Sequence, residues 1–485
     1  MTKEGLKKKT VKGVGWSAVD NLASHFVIFV VSIVLARLIS PEEYGLLGII
    51  TIFTSISQTI INGGFGSALV RKKGATEDDF NTVFISNMAI SIALYIILFF
   101  SSTLISAFFD RQELTLLIRV TSITIILGGL SLTQRVQLTK RLDFKTQTII
   151  TLISSISSGI IGIVLALLGF GVWALVIQQI SSSLFVTLCL WFFNRWIPKL
   201  YFSKQSFKEL FGYGWKILLA NLLSRVWKEL YQLVVGKFFS PATLGQYTRG
   251  KQFAQFYSSN LTTVVQRVSF PALSEIQDDP KRMIAAYRKM IKVTMLVSTV
   301  AMFALGAISG PLLYCLIGPK WHEASTYLPY ICISMSLYPL HAINLNMLAV
   351  QGRSDILLIL EILKKIIGVA PLVVCIFVGI KAMLIVNIFT GIIAFFLNTY
   401  YTGRDLGYTS WMQIKDVIPS YRLATIIALS VYFLKYIPIS NYIILPLQLI
   451  LGSFVGYIIC EKTKSDEYKE IKAIANSFVV KFRKK

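Results

Sequence analysis

The sequence predicts an all-α integral membrane protein of about fourteen transmembrane helices, built as two parallel six-helix repeats with two helices added at the C-terminal end. Three observations carry that prediction. Of 485 residues, 54% are hydrophobic and only 15% charged, against about 25% charged in ordinary soluble domains. Apolar runs such as "NMAISIALYIILFFSSTLISAFF" at 87–109 reach the roughly 20 residues that a helix needs to cross the hydrocarbon core. A stretch near the start of the chain also returns two hundred residues later. The strict two-residue alternation of a membrane β-barrel is absent.

Hydropathy and its breaks place the helices at 14–38, 44–62, 81–109, 114–133, 147–168, 170–193, 212–237, 244–268, 289–313, 324–350, 356–379, 382–402, 420–436 and 442–460. The first apolar run is long and has no small-residue cleavage site, so it reads as a retained span and not as a signal peptide.

Lys and Arg set the orientation. With the N-terminus inside, the inner segments hold Lys7, Lys8 and Lys9, then Arg71, Lys72 and Lys73, Lys140, Arg141 and Lys145, Arg195, Lys199, Lys204 and Lys208, and Lys281, Arg282, Arg288 and Lys289. Outer turns hold about one each: Arg37, Arg111, Lys237, Lys320, Lys381 and Lys435. Both termini are therefore expected in the cytoplasm, and the net charge of +24 reads as attraction to an anionic inner leaflet, with no nucleic-acid partner. The 461–485 tail, with Tyr468, Ile471, Ile474 and Phe478 on one face, reads as a basic amphipathic helix on the membrane surface. Cys189, Cys315, Cys332, Cys375 and Cys460 have no CxxC spacing, so no metal site and no disulfide framework is expected.

The repeat pairs "GVGWSAVDNLASHFVIFVVSIVLARLISPEEYGLLGIITIF" from residue 13 with "GYGWKILLANLLSRVWKELYQLVVGKFFSPATLGQYTRGKQF" from residue 212. With one extra residue after Trp215, Gly15-Trp16 aligns with Gly214-Trp215, Asn21 with Asn221, Arg37 with Lys237, Ser40-Pro41 with Ser240-Pro241, and Gly45 with Gly245. Both copies start inside, so they are related by an axis along the membrane normal. The expected domains are an N-terminal lobe at 1–198, its repeat at 199–410, the last two spans at 411–460 and a cytoplasmic tail at 461–485. Pro41 and Pro241 mark equivalent turns where proline fixes a helix start.

Polar stripes supply the candidate site. Asn221, Arg225, Lys228 and Gln232 share one face of the seventh helix, and Arg249, Gln252, Gln255, Ser259, Thr262 and Gln266 share one face of the eighth. Milder counterparts in the first lobe are Ser17, Asn21 and His25, then Thr51, Ser55, Gln58 and Asn62. A charge at the bilayer centre costs about 2.5–3.5 kcal/mol on insertion scales, so such faces belong on a bundle interior or a water-filled cavity. Arg225 stands at the repeat position of His25, which makes the second lobe the more cationic wall. Glu229 lies four residues from Arg225, so an ion pair that only fastens helices stays open as a reading. Asp20 and Glu229 are candidate proton or sodium sites, and Asp20 reads equally as a polar residue satisfied near its helix end. His322 and His341 read as surface or packing residues. No bound cofactor is expected.

The segments "SAVDNLASHFVIFVVSIVLARLISPEEYGLLGIITIF", "INGGFGSALVRKK" and "QRVQLTKRLDFK" together resemble the Wzx-type polysaccharide exporters of the multidrug, oligosaccharidyl-lipid and polysaccharide (MOP) exporter superfamily, in particular the branch with colanic-acid and teichuronic-acid exporters. The resemblance spans approximately residues 10 to 405, and the last two helices fit its fourteen-helix members. It implies a V-shaped, MATE-like helical bundle that alternates access and is not an enzyme. The implied function is to flip undecaprenyl-diphosphate-linked oligosaccharide from the inner to the outer leaflet of a bacterial cytoplasmic membrane, for O-antigen, capsule or exopolysaccharide assembly. Implied partners are that lipid-linked glycan, membrane lipids, and polymerase and chain-length machinery. Arg suits a diphosphate through its planar fork, and Trp227 and Tyr231 suit a sugar. The segment 138–145 reads as a structural brace between inner loops.

No G-x-x-x-x-G-K-[ST] loop occurs, so the chain carries no P-loop ATPase of its own. With the inside negative, outward movement of a diphosphate is favoured by about 2.3 kcal/mol per charge per 100 mV. Three other classes compete. A multidrug or cation antiporter of the same superfamily calls for acids where this chain has cations. A membrane polymerase or ligase calls for a large outer loop. A non-transporting polysaccharide assembly factor would bind the lipid carrier without moving it.

Overall fold

The computed structural model describes residues 26–463, 467–470 and 472. All regular structure among the described residues is helical. In chain order the helices are α1 (Phe26–Leu38), α2 (Pro41–Gly63), α3 (Phe65–Arg71), α4 (Glu77–Phe109), α5 (Glu113–Thr121), α6 (Ile123–Lys140), α7 (Phe144–Leu167), α8 (Val172–Asn194), α9 (Lys204–Phe238) and α10 (Pro241–Ser274). There follow α11 (Pro280–Ala307), α12 (Ser309–Ile317), α13 (His322–Ser336), α14 (Tyr338–Val350), α15 (Ser354–Ile367), α16 (Val369–Val378), α17 (Ile380–Leu406), α18 (Ser410–Tyr432) and α19 (Asn441–Thr463).

Among the described residues, each of the fourteen expected spans falls on a helix or on a helix broken once. Among the described residues, ten helices are long and apolar enough to cross a membrane. The other expected spans are α1, described only from Phe26; α9 and α10, which carry the charged and polar stripes; and α15–α16, interrupted at Gly368. The helices overrun the hydropathy limits where a polar first turn has its own cap. Ser203 accepts from the Ser206 N–H to start α9, and Thr409 accepts from the Met412 N–H to start α18. Caps set helix starts, whereas hydropathy sees only the part that lipid covers.

The chain forms two compact units that divide between Gly245 and Gln246. α9 therefore packs with the first unit although it opens the second repeat. Glycines allow the close seat: a Cβ on Gly214 would stand 2.8 Å from the Gly64 carbonyl oxygen, at the junction of α2 and α3. At the far end of α9 the Lys237 ammonium pairs with Asp110, 3.0 Å away.

The two Ser-Pro turns also meet within this unit. Ser40 caps α2 in a capping box with Glu43, its Oγ accepting from the Glu43 N–H at 3.3 Å while Glu43 accepts from the Ser40 N–H at 2.8 Å. Ser240 caps α10 more simply, its Oγ accepting from the Thr243 N–H at 3.2 Å. Gly45 faces the Pro241 carbonyl and Gly245 faces the Pro41 carbonyl, and a Cβ on either glycine would overlap the oxygen opposite. The repeat found in sequence is thus a reciprocal backbone contact in space.

Basic helix ends and turns of the first unit are braced, not loose. Lys72 pairs with Glu209 at 2.8 Å and Asp79 at 3.0 Å, and the Glu209 carboxylate holds its ammonium above the ordinary lysine range. Lys140 donates to the Leu69 and Lys72 carbonyls at 2.9 and 2.6 Å, and Arg141 donates to Asn194 at 3.1 Å. A cation on the last carbonyls of α3 completes that helix end. Segment 138–145 is accordingly a strut. Arg119 lies over the Phe99 ring at 4.4 Å and donates to Ser102 at 3.0 Å.

In the second unit, Tyr287, Met295, Leu340 and Tyr408 are buried in one core. Arg288 grips Asp416 through two bonds of 2.8 and 2.9 Å, and Tyr408 donates to the same carboxylate at 2.7 Å. This fork ties α11 to α18. Of the tail, Glu467 and Glu470 pair with Lys292 and Lys289 of α11; the expected positions Ile471, Ile474 and Phe478 lie outside the described residues.

Candidate functional site

A cavity of about 620 Å³ lies inside the first unit, walled by α2, α6, α8 and α9. Its α2 wall is the stripe Thr51, Ser55, Gln58 and Asn62, and its α9 wall is Asn221 and Arg225. Gln58 is fixed in place: its Nε2 donates to the Thr124 carbonyl at 2.9 Å, and Gly128 leaves the room that its amide fills. α6 adds Ser131 and Arg135, and α8 adds Gln179, Ser182 and Ser183. The lining therefore holds two guanidinium groups among hydroxyls and amides.

Arg225 is held by one carboxylate. Its Nε stands 3.1 Å from Glu229 Oε1, one turn further along α9, with 38% of its side chain exposed against 6% for Glu229. Ser55 Oγ donates to the same Oε1 at 3.2 Å. Glu229 Oε2 has no hydrogen-bond partner among the described residues, and the Arg225 Nε–H is not aligned for a hydrogen bond. The pair is an ion pair on a cavity wall, with Glu229 behind and Arg225 in front.

The structure thus brings together Gln58, Asn221 and Arg225, with Glu229 behind them. Lys228 and Gln232 share the same helix but do not line this cavity, and Lys228 is exposed. In the second unit Arg249 is 4% exposed. Its guanidinium bonds Gln252 at 2.6 Å and sits 5.7 Å from the Trp321 ring centre, so it is seated in that unit's interior, while Gln252 and Gln255 are exposed. Asp20, Asn21 and His25 lie outside the described residues. No cluster of His, Cys, Asp and Glu that could hold a metal occurs among the described residues.

Arg135 and the α8 wall lie outside the polar stripes of the sequence. The signal for α8 was present, since five of the six residues in "QQISSS" at 178–183 are polar inside an apolar helix. Arg135 was hidden within "QRVQLTK", where a cation near the inner membrane edge is what charge bias predicts anyway.

Helices in this order make a fold that a solved flippase and a solved transporter share. The lipid II flippase MurJ, in its inward closed conformation, superposes with a TM-score of 0.74 at 17% identity, covering 94% of this chain and 99% of that one. A multidrug resistance MATE family transporter of the MOP superfamily, inward-facing, gives 0.60 at 16% identity, covering 80% and 98%. Residues 34–326 match the polysaccharide biosynthesis protein family, and the chain belongs to that family. Among its relatives, the teichuronic acid biosynthesis protein TuaB of Bacillus subtilis is 25% identical over 72% of this chain and 73% of its own. The succinoglycan biosynthesis transport protein ExoT of Rhizobium meliloti is 26% identical over 68% and 67%. The lipopolysaccharide biosynthesis protein WzxC of Escherichia coli is 23% identical over 76% and 75%.

Proposed function

We propose that this protein flips undecaprenyl-diphosphate-linked oligosaccharide from the inner to the outer leaflet of a bacterial cytoplasmic membrane, with both termini in the cytoplasm. The observation that carries this reading is the cationic lining of the first unit's cavity: Arg225 and Arg135 among the hydroxyls and amides of α2, α8 and α9. Guanidinium groups bind phosphate oxygens through short charge-assisted bonds, and neutral donors and acceptors suit sugar hydroxyls. A carrier of cationic drugs would need the opposite sign. Membership of a polysaccharide family supports the sugar, and the fold shared with a lipid II flippase is consistent with a lipid-linked form.

The test is leaflet exchange of a fluorescent undecaprenyl-diphosphate oligosaccharide in proteoliposomes. Wild type should accelerate exchange, and Arg225→Ala with Arg135→Ala should reduce it about 100-fold or more, since each lost bond to a charged group is worth about 1.5–3 kcal/mol. Binding of the lipid by wild type with no exchange would overturn transport in favour of an assembly role.

A further inference from the structure

We infer that the α2 wall of the cavity accepts hydrogen bonds and does not donate them, so that it reads the hydroxyl groups of an uncharged sugar while the α9 wall takes the phosphate. The inference rests on the proposed phosphate site at Arg225 and deepens it, by giving the sugar a wall and a chemical class.

A serine or threonine hydroxyl has one proton and two lone pairs. On a helix that proton can go to a carbonyl of the preceding turn. Along this face the protons are already committed. Thr51 donates to the Leu47 carbonyl at 2.8 Å and Thr59 to the Ser55 carbonyl at 2.9 Å. Ser131 of α6 donates to the Gly128 carbonyl at 3.0 Å. Ser55 has the Ile52 carbonyl at 3.1 Å and the Glu229 carboxylate at 3.2 Å for its single proton, and Gln58 turns its amide nitrogen onto the Thr124 carbonyl, 2.9 Å away. All five side chains line the cavity. Thr51, Ser55 and Thr59 recur every fourth residue on one face of α2, and what their hydroxyls have left to offer is lone pairs.

α9 presents the opposite. A guanidinium has N–H donors and no acceptor, and Arg225 keeps 38% of its side chain exposed on the cavity wall. A phosphate, which brings acceptor oxygens, gains at Arg225 and meets lone pairs at α2. An α2 hydroxyl that turned to donate to it would first lose its bond to a carbonyl, a factor of about two to ten for each. A sugar hydroxyl brings its own proton and binds α2 without that loss. A carboxylate in place of a sugar hydroxyl removes a donor and adds acceptors, so an acidic sugar gains least on this wall.

The experiment measures binding of three ligands to the full-length protein in nanodiscs: farnesyl diphosphate, farnesyl diphosphoglucose, and the glucose ligand with every sugar hydroxyl replaced by fluorine, which is close in size and has no proton to donate. Wild type should bind the glucose ligand about tenfold more tightly than the bare diphosphate, and the fluorinated ligand no more tightly than the bare one. Thr51→Val with Thr59→Val removes two acceptors at nearly constant shape and should lower the glucose advantage to about twofold, whereas Thr51→Ser with Thr59→Ser, which keeps both oxygens, should retain it. Should the valine pair not fold, Ser131→Ala reads the same loss on the neighbouring α6, as a fall of about two- to threefold. No glucose advantage in wild type, a fluorinated ligand that binds as tightly as the glucose one, or a full advantage in the folded valine or alanine variant would each overturn the inference. Failure of the phosphate site itself looks different, because Arg225→Ala would then bind bare farnesyl diphosphate as wild type does.

Discussion

The two copies of the Ser-Pro turn and the helices that follow them share one geometry and carry two chemistries. At the turn, α2 and α10 are nearly interchangeable: each starts on serine and proline, and each presses a glycine four residues on against the opposite proline's carbonyl. A few turns later they part. α2 offers Ser55, Gln58 and Asn62 to a cavity, whereas α10 turns Arg249 inward against Trp321 and leaves Gln252 and Gln255 exposed. Backbone contacts fix the shared part, because no side chain can be exchanged for room that is not there. Side chains on a helix face can change one at a time, so binding chemistry is free to differ between copies.

Substitutions can sharpen or break that contrast. The largest effect is expected at the shared turn: Gly45→Leu and Gly245→Leu should each cost about 3 kcal/mol or more, read as lost folded protein and a lowered Tm in detergent. If either were tolerated, the reciprocal contact would not hold the fold. Next is Arg249→Ala, where the bond to Gln252 and the contact with Trp321 predict about 2 kcal/mol of destabilisation. Lipid exchange per folded molecule should be far less affected than by Arg225→Ala, and equal loss in both would place Arg249 with the substrate. Ser40→Ala should cost about 1 kcal/mol, and Ser240→Ala, which lacks the return bond from an N3 carboxylate, about half that. Smallest is Gly212→Ala, at a helical site with nothing near the added carbon; it should be neutral or raise stability by about 0.5–1 kcal/mol.

Much of the fold was legible because lipid writes it in long apolar runs, and because Ser40-Pro41 and Gly45 recur as Ser240-Pro241 and Gly245. Less legible was the partner of each face. Periodicity shows that Asn221 and Arg225 share a face; it does not show that α2, α6 and α8 complete the cavity, nor that Lys228 turns away. The placement of α9 in the first unit was hidden too, since it depends on Gly214 meeting Gly64, two glycines far apart in sequence whose value is the space they leave. Arg249 illustrates the same limit: a stripe shows a buried cation, and only packing shows the aromatic ring it meets.

The paired turns have a consequence for how the two halves of this gene can drift. Each glycine opposes a main-chain carbonyl, an atom that every residue type supplies, so no change in one turn can rescue a bulky replacement in the other. A saturation library should return glycine at both 45 and 245 and yield no suppressor among residues 240–244 for a defect at 45, nor among 40–44 for a defect at 245. The halves of the duplication remain bound to one another at this point, however far their sequences diverge elsewhere.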